Sequence, residues 1–575
     1  MPNLLMLSGR RSRCAVVFTT VASLGALPLA AQSGRTPAPA KRGMATSSHY
    51  LASAVGTDVL RKGGNAVDAA VAMALALAVT LPFAGNIGGG GFLVYHGADG
   101  KATTFNFREK APLAASERMY LDDPGAVRNN SNHEGLLSVG VPGTVAGLVL
   151  AHQRLGSRPW KDLVQPAVDL AEKGIPLSWA EVNFQRWVVE RRADYPTTAA
   201  VFLKDGTTPY EPGDLWKQPH LAATLKRIRD RGRDGFYAGE TARLLAAHMR
   251  KYGGLITEDD LAAYQAVEQE PIHGTYRGYD VYAMSPPSSG GVALVQMLNI
   301  LEGFALKDVG HNSALYLHFL TEAMRRAFAD RARYLGDPDF NANMPIARLI
   351  SKDYAEELRN GIDLFRASPS DPSAVATAGE GEHTTHLSVV DSAGNAVSLT
   401  YTLEGGYGAR IVVEGAGFLL NNEMGDFNAI PGRTDTTGVI GTPPNLVAPG
   451  KRMLSSMTPT IVARNGQPVL VIGSPGGRTI INTVLQVILN VVDHGMNVAE
   501  AVEAGRIHHQ WLPDVTRFER FTISPDTWRL LEMMGHRVEA VGNQGQAMGI
   551  FVDRERGLLL GVADSRSFDG KVVGY

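Results

Sequence analysis

Residues 383–402, HTTHLSVVDSAGNAVSLTYT, hold hydroxyl groups at a spacing that a simple fold would bring together. Two strand-like runs flank Asp391-Ser392-Ala393-Gly394-Asn395, a strong turn signal. A three-residue loop centred on Ala393 sets Thr384 opposite Thr402 at the open end of a hairpin, and a two-residue loop shifts the pairing by one. Adjacent threonine hydroxyls could serve nucleophilic chemistry, because a threonine is a weak nucleophile until a base takes its proton. The preference of threonine for strands also explains the pair without any chemistry, and on the residues alone that is the plainer account.

Other candidates are weaker. The single cysteine, Cys14, lies in the N-terminal leader, so a chain without that leader has no disulfide, thiol nucleophile or thiolate metal site. GNIGGGGF (85–92) lacks the Lys-Ser/Thr of a phosphate loop and reads as a turn where two chain layers meet closely. His508 and His509 are adjacent and point to different sides of any regular element, so hydrogen bonding beside Trp511 is expected rather than a shared metal. Ser288, Ser289 and Ser474 lie in glycine-rich segments without the G-x-S-x-G spacing of a nucleophile elbow.

Of 575 residues, 44% are hydrophobic and 19% charged, as in a folded enzyme. The net charge of −2, from 55 basic and 57 acidic residues, offers no basic stripe for a nucleic acid. Arg10, Arg11 and Arg13 followed by an apolar stretch to Ala30 predict a signal peptide over 1–31, hence a periplasmic or secreted protein. Residues 32–43 read as a loose tip of the mature chain. The apolar run 69–82 is too short to span a bilayer and reads as a buried helix, N-capped by Asn65.

The elements that must position the threonines follow from hydrophobic periodicity. Helices are expected over 47–62, 65–80, 144–155, 162–173, 218–231, 238–251, 311–334 and 478–493. Strands are expected over 91–97, 103–109, 385–390, 396–402, 410–413, 417–420, 459–463 and 468–472. The Ala/Ser/Pro/Gly-rich stretch 367–382 separates a helix-rich part from a strand-rich one.

The ordered motifs LRKGGNAVDAAVAMALALAVTLPFAGNIGGGGF, FNFREKAP, VGVPGTVAGL, PPSSGG, LGDPDF, TTHLSVVDSAGNAVSLTYT, LLNNEMGDF, LSSMTPTIV, GSPGGR and HHQWLPD together resemble the γ-glutamyltransferase (γ-glutamyltranspeptidase) family, over roughly residues 41–575. The resemblance implies an α+β fold, the αββα four-layer sandwich of the N-terminal-nucleophile hydrolases. It implies a precursor that cuts itself between His383 and Thr384 into a large subunit, 32–383, and a small catalytic subunit, 384–575, which stay together as a heterodimer. It implies γ-glutamyl transfer and hydrolysis on glutathione and related amides, with no metal and no organic cofactor.

By the same resemblance Thr384 is the nucleophile and Thr402 its hydroxyl partner, while Gly476 and Gly477 form the oxyanion hole. Arg108, Ser455 and Ser456 bind the donor carboxylate; Glu423 and Asp426 hold its ammonium. Glu404 stands where many members carry asparagine, and joins the acidic side of the pocket. The loop 431–441 has the length of a lid but lacks the tyrosine expected near Thr437. Two other functions fit the same motifs: an acylase acting on glutaryl amides such as cephalosporin side chains, and an unprocessed protein that only captures γ-glutamyl compounds.

Overall fold

The computed structural model describes residues 35–123, 125–371 and 383–575. The leader expected over 1–31 and the stretch 372–382 just before the hairpin lie outside the described residues.

The helix Ala66–Thr80 begins as its sequence dictates. The Asn65 side chain accepts from Asp68 N (2.9 Å) and the Asp68 carboxylate accepts from Asn65 N (3.0 Å), a reciprocal capping box. Every residue of this apolar helix is buried. Its first N–H, on Ala66, donates to Asp391 Oδ2 (3.0 Å), while Asp391 Oδ1 accepts from Ala393 N and Asn395 N. One carboxylate thus shapes the hairpin turn and fixes it to the helix start.

The hairpin joins His383–Val390 to Ala396–Glu404 in the expected register, with Leu387 opposite Leu399 and Thr384 opposite Thr402. Strand alternation gives it two faces. Leu387, Val389, Val397, Leu399 and Tyr401 pack in the same core as the helix Ala66–Thr80. Ser398, on the other face, hydrogen-bonds Ile472 O (2.9 Å) of a second sheet. Thr402 shares the Ser398 face, and Thr384, directly opposite, shares it too.

Two seven-stranded sheets result. One runs Lys571–Gly574, Met44–Ser47, His383–Val390, Ala396–Glu404, Gly90–His96, Ala102–Phe107, Val267–Gln269. The other runs Ala38–Ala40, Leu558–Ala563, Met548–Asp553, Gln467–Gly473, Thr460–Arg464, Tyr279–Ala283, Ile272–Tyr276. The first is covered by Ala66–Thr80, Thr144–Leu155 and neighbouring helices. The second is covered by Gly290–Leu301, Ala314–Tyr334 and Thr479–Val492. Phe92, Val94, Ile461, Val471 and Ile550 fill the space between the sheets. This is the αββα order of layers, in an α+β fold.

Three expected elements differ. The strands at 410–413 and 417–420 are reduced to one bridge, Val412 to Leu419, because left-handed backbone at Arg410, Gly415 and Gly417 turns the chain too often for a ladder. The helix expected from 47 starts at Tyr50, where His49 Nδ1 accepts from Leu51 N (3.2 Å), and Met44–Ser47 pairs as a strand instead. The glycine run makes the close layer contact expected of it. A Cβ at Gly89 would lie 2.0 Å from Thr402 O, and one at Gly88 2.1 Å from Leu419 O. Among the described residues no helix is long and apolar enough to cross a membrane.

Candidate active site

The open end of the hairpin carries the two threonines. Thr384 Oγ1 donates to Thr402 Oγ1 at 3.4 Å. Thr402 is buried, and its Oγ1 also accepts from Glu404 N (2.8 Å). Asn86 fixes the Thr402 carbonyl (2.8 Å) with its Nδ2, while its Oδ1 accepts from Gly89 N (3.0 Å) and Thr144 Oγ1 (2.7 Å). The register slips between His383, which faces Glu404, and Thr384, which faces Thr402. The peptide bond joining residues 383 and 384 therefore sits in a β-bulge, a local break in the ladder.

The strand Gln467–Gly473 ends in Ser474-Pro475-Gly476-Gly477, which leads into the helix Thr479–Val492. Gly476 and Gly477 have φ of 130° and 55°, conformations that suit glycine. Among the described residues neither glycine N–H donates to a protein acceptor. Free backbone donors in a fixed turn are what a developing oxyanion needs. Gly476 and Thr384 both line one cavity of about 620 Å³.

The remaining expected residues converge in a buried cluster. Arg108 donates to Glu423 through Nη1 and to Asp426 through Nη2, and also to Leu454 O (3.1 Å) and Met453 O (3.3 Å). The guanidinium is fully enclosed, and although burial opposes its charge, the carboxylates around it hold its pKa above the ordinary value. Arg108 is therefore the charged centre of the cluster as well as a candidate donor anchor. Leu454 leads into Ser455 and Ser456, both buried. The Ser456 hydroxyl accepts from Arg331 Nη2 (3.1 Å), whose Nε donates to Ser289 (2.8 Å); Ser289 Oγ in turn donates to Ser455 O (2.6 Å).

Burial raises the pKa of Glu404, and of Glu423 still more, against the opposing pull of His133 and Arg108 respectively. Glu404 Oε1 lies 3.2 Å from His133 Nδ1. Burial works against charge on His133, but the bond to Glu404 and the nearby carboxylates outweigh it and raise its pKa. Glu109 is fully buried beside Arg108 (3.8 Å), and neither of its carboxylate oxygens has a hydrogen-bond partner among the described residues. Burial pushes its pKa up to about 7.

Sequence reasoning singled out neither Glu109, His133, Arg331, Asn86 nor Arg478. Glu109 follows Arg108 directly, Asn86 lies in the glycine motif and Arg478 follows Gly477, so their places were visible though their contacts were not. His133 carries no local signal; only the fold brings it to Glu404.

His508 and His509 are tied into hydrogen bonds as expected. Asn482 Nδ2 meets His508 Nδ1 (2.7 Å), and His509 Nδ1 accepts from Trp511 N (3.1 Å). Among the described residues two other groups have metal-ligand atom types close together. In His318–Glu322–His536 the carboxylate is taken by Arg325 and Arg326, and the imidazoles bond each other (2.7 Å). In His49–Glu181–Asp569 the Glu181 carboxylate caps a helix through Ser178 N (2.6 Å) and Asp569 accepts from Ser178 Oγ (2.7 Å). The loop 431–441 is pinned at Asp435, which accepts from Thr437 N (3.0 Å).

The chain is similar to known proteins. The family described as gamma-glutamyltranspeptidase matches residues 52–575. The glutathione hydrolase proenzyme of Escherichia coli (strain K12) is 47% identical over 543 residues, covering 94% of this chain and 93% of the relative. The cephalosporin acylase of Bacillus halodurans superposes with a TM-score of 0.82 at 28% identity, over 94% of this chain and 97% of that one. The γ-glutamyltranspeptidase of Helicobacter pylori is 44% identical with a TM-score of 0.55, over 56% of this chain and 92% of that one. With the paired threonines, the glycine turn and the buried acid–arginine cluster in place, the chain belongs to the γ-glutamyltranspeptidase family.

Proposed function

We propose that the chain is an exported precursor that cleaves itself before Thr384 and then hydrolyses or transfers the γ-glutamyl group of glutathione and related amides. The observation that carries this reading is Thr384 directly opposite Thr402, at a bulge in the ladder and in one cavity wall with Gly476.

In the precursor, Thr384 Oγ1 adds to the carbonyl of residue 383. The C–N bond breaks, leaving an ester on the oxygen and a free α-amine on Thr384, and water hydrolyses the ester. Nucleophile and base then sit on one residue. An α-amino group titrates near 7.7–8.0, so close to neutral pH part of it is free to accept the hydroxyl proton. Oγ1 attacks the γ-amide carbon, and the N–H groups of Gly476 and Gly477 receive the oxyanion. The amine product leaves with the proton, and water or an acceptor amine attacks the γ-glutamyl ester. Losing one such oxyanion donor costs about 10²–10³ in rate.

On this reading Arg108, Ser455 and Ser456 take the donor α-carboxylate, and Glu404, Glu423 and Asp426 take its α-ammonium. The two halves, to 383 and from 384, remain one heterodimer: the strand Ala396–Glu404 lies in the same sheet between His383–Val390 and Gly90–His96. A leader over 1–31 would deliver it to the periplasm or the medium.

The likeness to a cephalosporin acylase raises the glutaryl-amide reading, but three acidic residues, Glu404, Glu423 and Asp426, buried in one cluster with Arg108 favour a donor bearing an ammonium. Mass analysis of enzyme quenched during turnover tests the acyl-enzyme. The fragment beginning at Thr384 should gain the mass of one γ-glutamyl group from a γ-glutamyl anilide. Turnover without an adduct on that fragment, under conditions where deacylation limits the rate, would contradict it.

A further inference from the structure

The cavity beside Thr384 is not the donor pocket. Thr384 and Gly476 line it, but Arg108, Glu423, Asp426, Ser455 and Ser456 do not. A scissile amide placed over Thr384, with its acyl part toward Arg108, must send its nitrogen substituent the other way, into this space. The cavity opens past Phe568, which is 71% exposed, so an incoming amine can reach the acyl-enzyme from the same side.

One wall of this cavity carries Arg478. The residue is only 7% exposed, and its Nε has no hydrogen-bond partner among the described residues. Among the described residues it forms no ion pair either, Asp426 acting on it only from farther away, whereas Arg108 is bonded to both Glu423 and Asp426. Arg478 also caps the fourteen-residue helix Thr479–Val492, whose N-terminus adds a positive field in the same place. Burial lowers its pKa to about 10, so it stays charged at neutral pH. The nearby His508 ring is held neutral by burial, at about 3, and supplies no competing charge. Arg517 adds a second guanidinium to the wall, paired with Glu539 (3.4 Å), against the single carboxylate of Asp569. A buried cation that no carboxylate contacts directly is costly unless an anion completes it.

We propose that Arg478, at the start of the helix Thr479–Val492, is a specificity-determining residue that binds the carboxylate of the amine partner. That partner is the amino acid or peptide that leaves the γ-glutamyl donor or arrives as acceptor. The inference rests on the γ-glutamyl reading above and names the amine side of the same reaction. A guanidinium can take a carboxylate with two parallel charge-assisted hydrogen bonds, which a neutral amide cannot match.

The test uses the processed enzyme with γ-glutamyl-p-nitroanilide as donor and two acceptors, glycylglycine and glycylglycinamide, which differ only in the terminal carboxylate. The leaving-group arm compares γ-glutamylglycine with γ-glutamylglycinamide as donors. The wild type should favour the carboxylate form in both arms, by about tenfold or more in kcat/KM. Arg478→Gln should bring both ratios close to one, and Arg478→Lys should restore part of them. A wild-type ratio near one, or a ratio that survives in Arg478→Gln, overturns the proposal; so does an equal loss with both acceptors that leaves the ratio intact. If Arg478→Gln fails to process, Arg478→Lys takes its place: ratios reduced but above one are expected, and ratios equal to those of the wild type overturn the proposal. Absence of turnover on the anilide by the processed wild type would instead be the failure of the γ-glutamyl reading.

Discussion

Glu404 Oε1 and His133 Nδ1 lie 3.2 Å apart, joining the strand that carries Thr402 to a loop of the other half of the chain. Glu404 adopts a left-handed backbone with φ of 76° at the end of that strand, and its carboxylate lies within the electrostatic reach of Asp426 and Arg108 in the acid–arginine cluster. Burial raises its pKa, while the imidazole and, more weakly, Arg108 favour its charged form; a bound ammonium would add to them.

The first expectation concerns this acid. Glu404→Gln should lower the preference for γ-glutamyl over glutaryl anilides by about tenfold, the scale of one charged hydrogen bond. Glu423 and Asp426 should keep some preference. Parallel kinetics on the two anilides measures it. An unchanged ratio would remove Glu404 from ammonium binding, and faster turnover of glutaryl by the wild type would favour the acylase function.

Arg108 is bound to both Glu423 and Asp426 in a buried cluster. Arg108→Ala would leave two buried carboxylates without their partner, at a cost of about 3–5 kcal/mol. It should therefore lower thermal stability as well as abolish turnover. Arg108→Lys keeps the charge but not the planar fork, so it should process and stay folded while kcat/KM falls by about two decades. Near-normal kinetics for Arg108→Lys would refute its role as donor anchor.

Gly89 should matter through space alone. A Cβ there would lie 2.0 Å from Thr402 O, and the Asn86 bonds leave that carbonyl little freedom. Gly89→Ala should displace Thr402 and slow self-cleavage, so that full-length precursor accumulates on a denaturing gel. Gly63→Ala is the control: its φ is positive, 85°, but nothing lies within 4 Å, so only backbone strain of about 1–3 kcal/mol applies and cleavage should proceed.

Glu109 should leave a signature in the pH dependence of stability. Burial raises its pKa in the folded protein from 4.5 to about 7. A raised carboxyl pKa means the folded state holds the proton more tightly. Its contribution is then fully present below the unfolded pKa and is lost as pH rises through the folded one. Glu109→Gln cannot ionise, so its stability should fall less than that of the wild type between about pH 4.5 and 7, measured by denaturant titration. Parallel curves for the two proteins would show that Glu109 does not titrate in this range.

Local signals told most of the fold. Asn65 before an apolar run marks the helix Ala66–Thr80, and Asp391-Ser392-Ala393-Gly394-Asn395 marks the hairpin; of the two registers open to that turn, the structure has the one that sets Thr384 opposite Thr402. The misreadings are local competition. His49 caps a helix where periodicity ran on, and Arg410, Gly415 and Gly417 break strands that β-propensity favoured. At the site, residue types inside motifs were legible, but electrostatic pairing was not. Nothing near His133 points to Glu404, and nothing beside Arg108 told that its charge is shared between Glu423 and Asp426. Such contacts join distant segments, and only the packed layers decide them.

The account stands on Thr384 making its own base by cutting the chain before itself. The direct measurement is the intact mass and N-terminal sequence of the purified protein, for the wild type and for Thr384→Ala. Two wild-type fragments, the smaller beginning Thr384-Thr385-His386, and a single uncut, inactive Thr384→Ala chain are the expected result. The same two fragments from Thr384→Ala would mean that another protease cuts the chain, and an active but uncut wild type would mean that no free α-amine is needed; either would contradict the account.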